Sequence, residues 1–301
     1  MNNRKGKQIF VSLLLCLLVF SFSFGNVFAE EIEGNYKEIA MKQEIPEENY
    51  IPILMYHHFS EEEVEAGNGA VVKISDFENQ IQTLIENGYT IINLEELNQI
   101  LTEALNERLL NDGKNKQKSF GKKYICITID DGYRSNYELM YPLLQKYQVK
   151  ADISIIAARI HSEYVIVPEV DKLKWEDLNE MENSGLVHIY NHTYNHKDAL
   201  KVTIGEFITS VTATEELLDE RLDKRSDIRV LAYPNGSSDI LTRTKVRNLG
   251  FDLQLSTKFG VVTKNTSINE IPRITVNSGE SGQDLIKKIK AAAQRTFYPT
   301  N

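Results

Sequence analysis

Cysteine, proline and tryptophan are scarce in this 301-residue chain, with Cys 2, Pro 7 and Trp 1. One cysteine, Cys16, lies inside an apolar N-terminal run; the other, Cys126, lies inside Tyr124-Ile125-Cys126-Ile127. Once the N-terminal run is set aside only Cys126 remains, which excludes an intrachain disulfide and leaves it the part of a buried core filler. Few prolines and 16 glycines, beside 42% hydrophobic residues, exclude collagen-like, mucin-like and wholly disordered chains. Basic residues are also in deficit: 34 Lys and Arg against 43 Asp and Glu give a net charge of −9, which argues against nucleic acid as a partner. There is no internal repeat, no Gly-x-Gly-x-x-Gly fingerprint and no Walker phosphate loop, so a nucleotide-binding Rossmann domain has no local support.

The longest apolar run, Ile9 to Phe24, has 16 residues and falls short of the ~17–25 that span a bilayer comfortably. It follows the cationic Arg4-Lys5-Gly6-Lys7 and precedes Val27-Phe28-Ala29, which offers small residues where a signal peptidase reads. Residues 1–29 therefore read as a secretory signal, with an uncleaved anchor as the alternative. Cys16 follows Leu15 inside the apolar stretch, which does not fit a lipid-modified cysteine. Loss of the segment's three basic residues takes the formal balance from −9 to −12 and leaves no stable membrane span. The expected location is secreted or extracellular, with cell-wall association open. Residues 30–49 are polar and charged and read as an arm, and residues 50–301 as a single domain.

Strand and helix patterns alternate along that domain. Strands are expected at Ile51–Met55, Tyr89–Leu94, Tyr124–Ile129, Ala151–Ala157, Leu186–Tyr190, Val230–Tyr233 and Phe251–Leu255. Helices are expected after Ser75-Asp76, at Glu95–Leu110, Tyr137–Tyr147, Trp175–Glu182, Ile204–Leu222 and Ile240–Asn248. The order predicts an α/β fold with a mostly parallel sheet covered by helices, closed into a barrel or left open. The basic stretch within residues 111–118 reads as a solvated loop.

Chemistry becomes plausible where polar groups gather at strand ends. Thr128-Ile129-Asp130-Asp131-Gly132 puts adjacent carboxylates after an apolar strand; a capped turn is the structural alternative. Adjacent residues of an extended segment point apart, so one acid can bind a metal while its neighbour faces the water beside it. In His192-Thr193-Tyr194-Asn195-His196 a helical turn would bring both imidazoles onto one face, and Asp131 would complete a two-His, one-Asp set for a divalent ion. The glutamate of a His-Glu-x-x-His protease is absent. His188 is read as structural and His161 as a surface residue, leaving His57, His58, His192 and His196 as candidates.

Together these motifs resemble those of the polysaccharide deacetylases with a NodB-homology domain, carbohydrate esterase family 4. Thr128-Ile129-Asp130-Asp131 resembles their first motif, His192 to His196 their second, and Lys174-Trp175-Glu176-Asp177-Leu178 the segment often preceding it. The likeness runs from about Pro52 to Val276 and implies a distorted (β/α) barrel as a single catalytic domain. It implies Asp130 as base and Asp131, His192 and His196 as ligands of one divalent metal ion. Zn2+ is the default for that set, with Co2+, Ni2+ or Fe2+ as alternatives.

Pro52-Ile53-Leu54-Met55-Tyr56-His57-His58-Phe59 is similar to the secreted branch that includes biofilm poly-N-acetylglucosamine deacetylases. In that branch the motif order is rearranged and the histidine of the N-terminal Tyr-His is the general acid, which implies His57; His58 is a reserve candidate or an orienting group. Leu231-Ala232-Tyr233-Pro234-Asn235-Gly236 resembles the third motif, but Ala232 stands where one branch has arginine and Asn235 where it has tyrosine. Ile271-Pro272-Arg273-Ile274 resembles a segment whose arginine would take that place, so Arg273 is expected to hold the Asp130 carboxylate.

The resemblance implies hydrolytic N-deacetylation of N-acetylglucosamine units in an extracellular or cell-wall polysaccharide: poly-β-1,6-N-acetylglucosamine, peptidoglycan or a chitin-like polymer. An O-acetyl glycan esterase and a catalytically inactive glycan-binding protein are the alternatives. The backbone at Tyr133 would help hold the oxyanion. Trp175, Tyr56, Tyr133 and Tyr194 either stack sugars or complete the core, and Tyr233 or Asn235 would line the groove.

Overall fold

The computed structural model describes residues 44–110, 119–161 and 171–299. The expected signal segment, most of the polar arm and the basic loop 111–118 lie outside the described residues. The chain divides between Ile45 and Pro46, and every described element belongs to the unit from Pro46 to Asn301. Glu47–Asn49, grouped with the arm on composition, form a helical turn in that unit, where the Glu48 carbonyl accepts the Phe120 N–H at 2.6 Å.

In chain order the elements are β1 (Ile53–Tyr56), β2 (His58–Ser60), β3 (Val71–Lys73), α1 (Ile74–Glu86), β4 (Thr90–Ile92), α2 (Leu94–Leu110), β5 (Tyr124–Asp131) and α3 (Tyr141–Tyr147). They continue as β6 (Ala151–Ile155), α4 (Trp175–Asn183), β7 (Val187–Asn191), α5 (Ile204–Arg221), β8 (Val230–Ala232) and α6 (Ile240–Asn248). The last are β9 (Leu253–Phe259), β10 (Ile271–Thr275) and α7 (Gly282–Phe297). Eight strands form one sheet in the order β1-β10-β9-β8-β7-β6-β5-β4, and β1 also pairs with β5. Every pairing in it is parallel. The second pairing of β1 closes seven strands into a ring and leaves β4 beside the first half of β5. The architecture is thus the distorted (β/α) barrel of the NodB type, not an open sheet.

Side chains two apart on a strand share a face, and this period builds the interior. Ile53, Cys126, Tyr190, Val230, Ala232, Leu253, Leu255 and Ile271 form one buried cluster. Leu94, Leu97 and Leu101 of α2 belong to the same cluster, closing the barrel at the end where its strands begin. The polar residues in phase with this plug stand above it: Asp130 follows Cys126 and Thr128, His192 follows Tyr190, and Arg273 follows Ile271. Cys126 has no exposed surface, as its apolar neighbours suggested.

Some elements differ from the sequence expectation. β9 runs Leu253–Phe259 rather than Phe251–Leu255, and β10 and α7 had no counterpart among the expected elements. The helix after Ser75-Asp76 begins at Ile74, with no side-chain cap, because Asp76 instead accepts the Gly279 N–H at 3.0 Å. The expected helix Tyr137–Tyr147 opens as a wider π turn over Asn136–Met140 before α3, a deviation that recurs at functional sites. Among the described residues no helix is long and apolar enough to cross a membrane.

His188, read as structural, is buried near the start of β7, with Nδ1 2.5 Å from Glu182 Oε1 and Nε2 3.6 Å from Glu95. Burial alone would lower its pKa, but Glu182, Asp152 and Glu95 outweigh that and hold it above the usual imidazole value. A raised folded pKa contributes stability that is complete below the unfolded value and is lost as pH rises through the folded one. Wild type should therefore exceed H188Q in urea midpoint most at about pH 6 and below, with the gap narrowing as pH rises above the usual imidazole range. A gap independent of pH would show that His188 acts by packing alone.

Candidate active site

Asp130 ends the inward face of β5 at 2% exposure, and Arg273 reaches it from β10 at 1%. Arg273 donates from its two terminal nitrogens to Asp130 Oδ1 at 2.8 Å and Oδ2 at 2.7 Å. It also donates to Thr128 Oγ1 at 3.2 Å and, through Nε, to the Ser256 carbonyl at 3.0 Å. This is the fork-on-carboxylate geometry in which Arg cannot be exchanged for Lys without loss. Burial pushes the Asp130 pKa up, but the Arg273 and His192 charges and the paired hydrogen bonds outweigh it and hold the carboxyl below its usual range.

Asp131 is the next residue and turns the other way, at φ 77°, with Gly132 at φ 69°. Its Oδ1 is buried without a hydrogen-bond partner among the described residues and faces His192 Nε2 at 3.5 Å and His196 Nε2 at 3.6 Å. These separations are long for hydrogen bonds. They match the edges of a tetrahedral shell, since donors ~2.0–2.2 Å from an ion lie roughly 3.3–3.6 Å apart. His192 Nδ1 donates to the Ala232 carbonyl at 2.8 Å, which leaves Nε2 as the atom that takes a proton or a cation. The three ligand atoms lie within 4.8 Å of one another, so a buried bare carboxylate oxygen and two imidazoles form a donor set that fits a divalent ion.

The two histidines do not share a helical turn as expected. His192 follows the end of β7, and the chain then winds irregularly with Thr193 at φ 66° and His196 at φ 57°. Side chains absorb the backbone groups this leaves. Asn191 Oδ1 accepts the Thr193 N–H at 2.7 Å, Thr193 Oγ1 accepts the His196 N–H at 3.1 Å, and Ser210 Oγ accepts the Tyr194 N–H at 3.0 Å. Asn191 is held in turn by donating to the Val211 carbonyl and to Glu215. Five non-glycine described residues have positive φ, and four of them, Asp131, Thr193, His196 and Asn235, lie at or just beyond the ends of β5, β7 and β8. Strain of this kind gathers where side chains are aimed rather than packed.

His57 leaves β1, the strand between β5 and β10, and so emerges between the partners of the Asp130–Arg273 pair. Its Nδ1 is buried with no partner among the described residues, while its carbonyl accepts from Asn136 Nδ2 at 2.8 Å across the π turn. Burial lowers its pKa, an effect opposed by the charges of Asp130 and Asp131, so both carboxylates act on the ring. His58 points elsewhere: its Nδ1 is 2.7 Å from Ser135 Oγ and its ring lies 5.0 Å from that of Tyr133.

The aromatic candidates divide. Tyr56 is 1% exposed and donates to Gln80 at 2.9 Å, and Tyr233, also 1% exposed, stacks on Phe207, so both are core and Tyr233 does not line a groove. Tyr194 is exposed and shares a cavity of about 270 Å³ with Trp175, His161 and Arg221, while Asn235 is exposed on the β8 loop. That loop turns on Gly236 at φ 69°, where an added Cβ would strike Thr257. His161 is exposed as expected. Asn191, Ser135 and Lys172 carry no motif that marks them, yet Lys172 Nζ lies 3.3 Å from the Asp131 carbonyl and 3.2 Å from the Tyr133 ring centroid.

Residues 117–253 match the family model for polysaccharide deacetylase. Over 77% of its length this chain is 28% identical to 73% of the "Putative polysaccharide deacetylase YxkH" of Bacillus subtilis. It is 25% identical over 96% of its length to 97% of a poly-beta-1,6-N-acetyl-D-glucosamine N-deacetylase from Staphylococcus aureus. The fold is similar to that of the Streptococcus pyogenes deacetylase PplD in complex with acetate, at a TM-score of 0.62 and 23% identity, covering 80% of this chain and 98% of that one. Over residues 117–253 the chain is thus similar to the polysaccharide deacetylase family, and over most of its length to proteins named as polysaccharide deacetylases.

Two substitutions probe the scaffold of the site. R273L would leave a buried carboxylate unpaired and should lower unfolding free energy by roughly 3–5 kcal/mol in urea denaturation. A loss below about 1 kcal/mol would show that the pair contributes no more than one ordinary hydrogen bond. G236A should cost about 1–3 kcal/mol through the forbidden φ and the contact with Thr257, read by the same measurement.

Proposed function

We propose that this protein is a metal-dependent N-deacetylase of N-acetylglucosamine units in an extracellular or cell-wall polysaccharide. The observation that carries the proposal is the bare, buried Asp131 oxygen between two imidazoles, with a second carboxylate, Asp130, pinned beside it by Arg273. Asp131, His192 and His196 would hold the cation, Zn2+ by default with Co2+, Ni2+ or Fe2+ as alternatives. Such an ion supplies Lewis acidity toward a carbonyl oxygen and lowers the pKa of water.

The chain's own residues do the rest. Asp130 accepts the proton of the attacking water; its pairing with Arg273 keeps it ionised for that purpose and fixes the carboxylate plane. His57 donates a proton to the leaving nitrogen, which would otherwise depart as an unstable amide anion. Arg273 acts through Asp130 and does not touch substrate. Acetate and a free glucosamine amine result. Exposed Tyr194 and half-buried Trp175 are aromatic surfaces available to sugar faces.

A biofilm-type β-1,6-linked polymer is the preferred substrate class, supported by the Staphylococcus aureus relative and by the Tyr56-His57 segment at the exit of β1. The N-terminal residues 1–29 would direct export, followed by the arm and the catalytic domain, which makes the working location secreted or cell-wall associated. An O-acetyl ester would be cleaved by the same attack on an easier electrophile, so ester substrates belong in the test.

Acetate release should be measured for the full chain, supplied with Zn2+ or Co2+, on matched β-1,6 and β-1,4 N-acetylglucosamine oligomers and an O-acetylated glycan. D130N should abolish release while retaining metal, and H57A should lower kcat by about 10²–10⁴-fold. Full activity in D130N, or release only from the O-acetylated glycan, would overturn the proposal.

A further inference from the structure

Ser135 and His58 form a hydrogen-bonded pair that the reaction above does not use. Ser135 is 7% exposed and its Oγ accepts the Phe59 N–H at 3.0 Å. The hydroxyl still carries a hydrogen, and the acceptor within reach among the described residues is His58 Nδ1, 2.7 Å away. If Nδ1 carried the proton instead, two donors would converge on one oxygen and the buried hydroxyl hydrogen would have no acceptor. Ser135 therefore donates to Nδ1, and His58 is the tautomer protonated at Nε2.

That assignment sets what the rest of the ring can do. Nε2, on the other side of the ring from Ser135, makes no hydrogen bond to a described residue and is not among the buried polar atoms. The ring is half-buried and leans on Tyr133, the residue that follows the Asp131-Gly132 turn. Doubly protonated His58 would again orphan the Ser135 hydroxyl; burial and the Lys172 charge also lower the ring's pKa. A neutral imidazole thus presents one N–H donor against Tyr133, the residue two beyond Asp131.

We infer that His58 binds substrate, its Nε2–H donating to an acceptor oxygen of the N-acetylglucosamine chain, and that Ser135 is the positioning residue that fixes this tautomer. The inference rests on the deacetylase reading above and assigns a binding role to the histidine adjacent to the proposed acid. A donor that serves ground state and transition state alike changes KM and leaves kcat nearly unchanged, unlike a general acid.

The test uses the full chain, β-1,6-linked N-acetylglucosamine oligomers and the imidazole ¹⁵N resonances of His58. H58A should raise KM about tenfold, the loss expected for one hydrogen bond, with kcat within about twofold of wild type. H58Q, whose side-chain amide restores a donor near the Nε2 position, should recover most of the loss. S135A should shift His58 toward the Nδ1-protonated tautomer and raise KM toward that of H58A. Equal loss of kcat in H58A and H58Q with unchanged KM would overturn the inference, as would an Nδ1-protonated His58 in the wild type. If wild type releases no acetate, the deacetylase reading fails separately, and oligomer titration still decides: a shifted Nε2–H resonance supports the binding role, and an unmoved one at saturation removes it.

Discussion

A carboxylate as buried as Asp130 stays ionised only beside an opposite charge with its oxygens saturated by donors. Arg273 meets both demands with two parallel hydrogen bonds, and two more of its five N–H groups go to Thr128 and the Ser256 carbonyl. The pair spans β5 and β10, and between those strands runs β1, the strand that closes the ring. Barrel closure and site assembly are therefore one constraint. Moving β1 would separate the pair, and separating the pair would loosen the strand from which His57 emerges.

Around this fixed point the site is built by turning the chain sharply at strand ends. Alternation along β5 puts Asp130 inward above the apolar plug, and the left-handed turn at Asp131 and Gly132 then brings the second carboxylate to the imidazoles. The β7 exit does the same for His192 and His196, held by Asn191, Thr193 and Ser210. The left-handed residues cost conformational energy, and the hydrogen bonds of buried side chains offset it. The result is a set of lone pairs directed at one point and kept from satisfying one another, which is the condition for holding a cation.

The alternation of strands and helices was legible because strands buried on both faces read as short continuous apolar runs, while the covering helices keep a period of 3.6. Closure was not, since the pairing of β1 with β5 depends on contacts some 70 residues apart and leaves no local mark. β10 hid because Arg273 interrupts its apolar run, and the same arginine proves to be the residue that neutralises Asp130. The motif residues Asp130, Asp131, His192, His196, His57 and Arg273 do come together. The helical placement of the histidine pair fails because four-residue spacing fits an irregular loop with two left-handed residues as well as it fits a helix. Ser135, Asn191 and Lys172 could not be found from sequence, because their value lies in which distant group each one reaches.

The claim on which the account turns is that Asp131, His192 and His196 hold one divalent cation. It is tested most directly by anomalous diffraction from crystals of the full chain grown with Zn2+. The account predicts a single strong peak bonded to a carboxylate oxygen of Asp131 and to Nε2 of both histidines at about 2.0–2.2 Å. No peak there, or a peak bonded through Asp130, would contradict it.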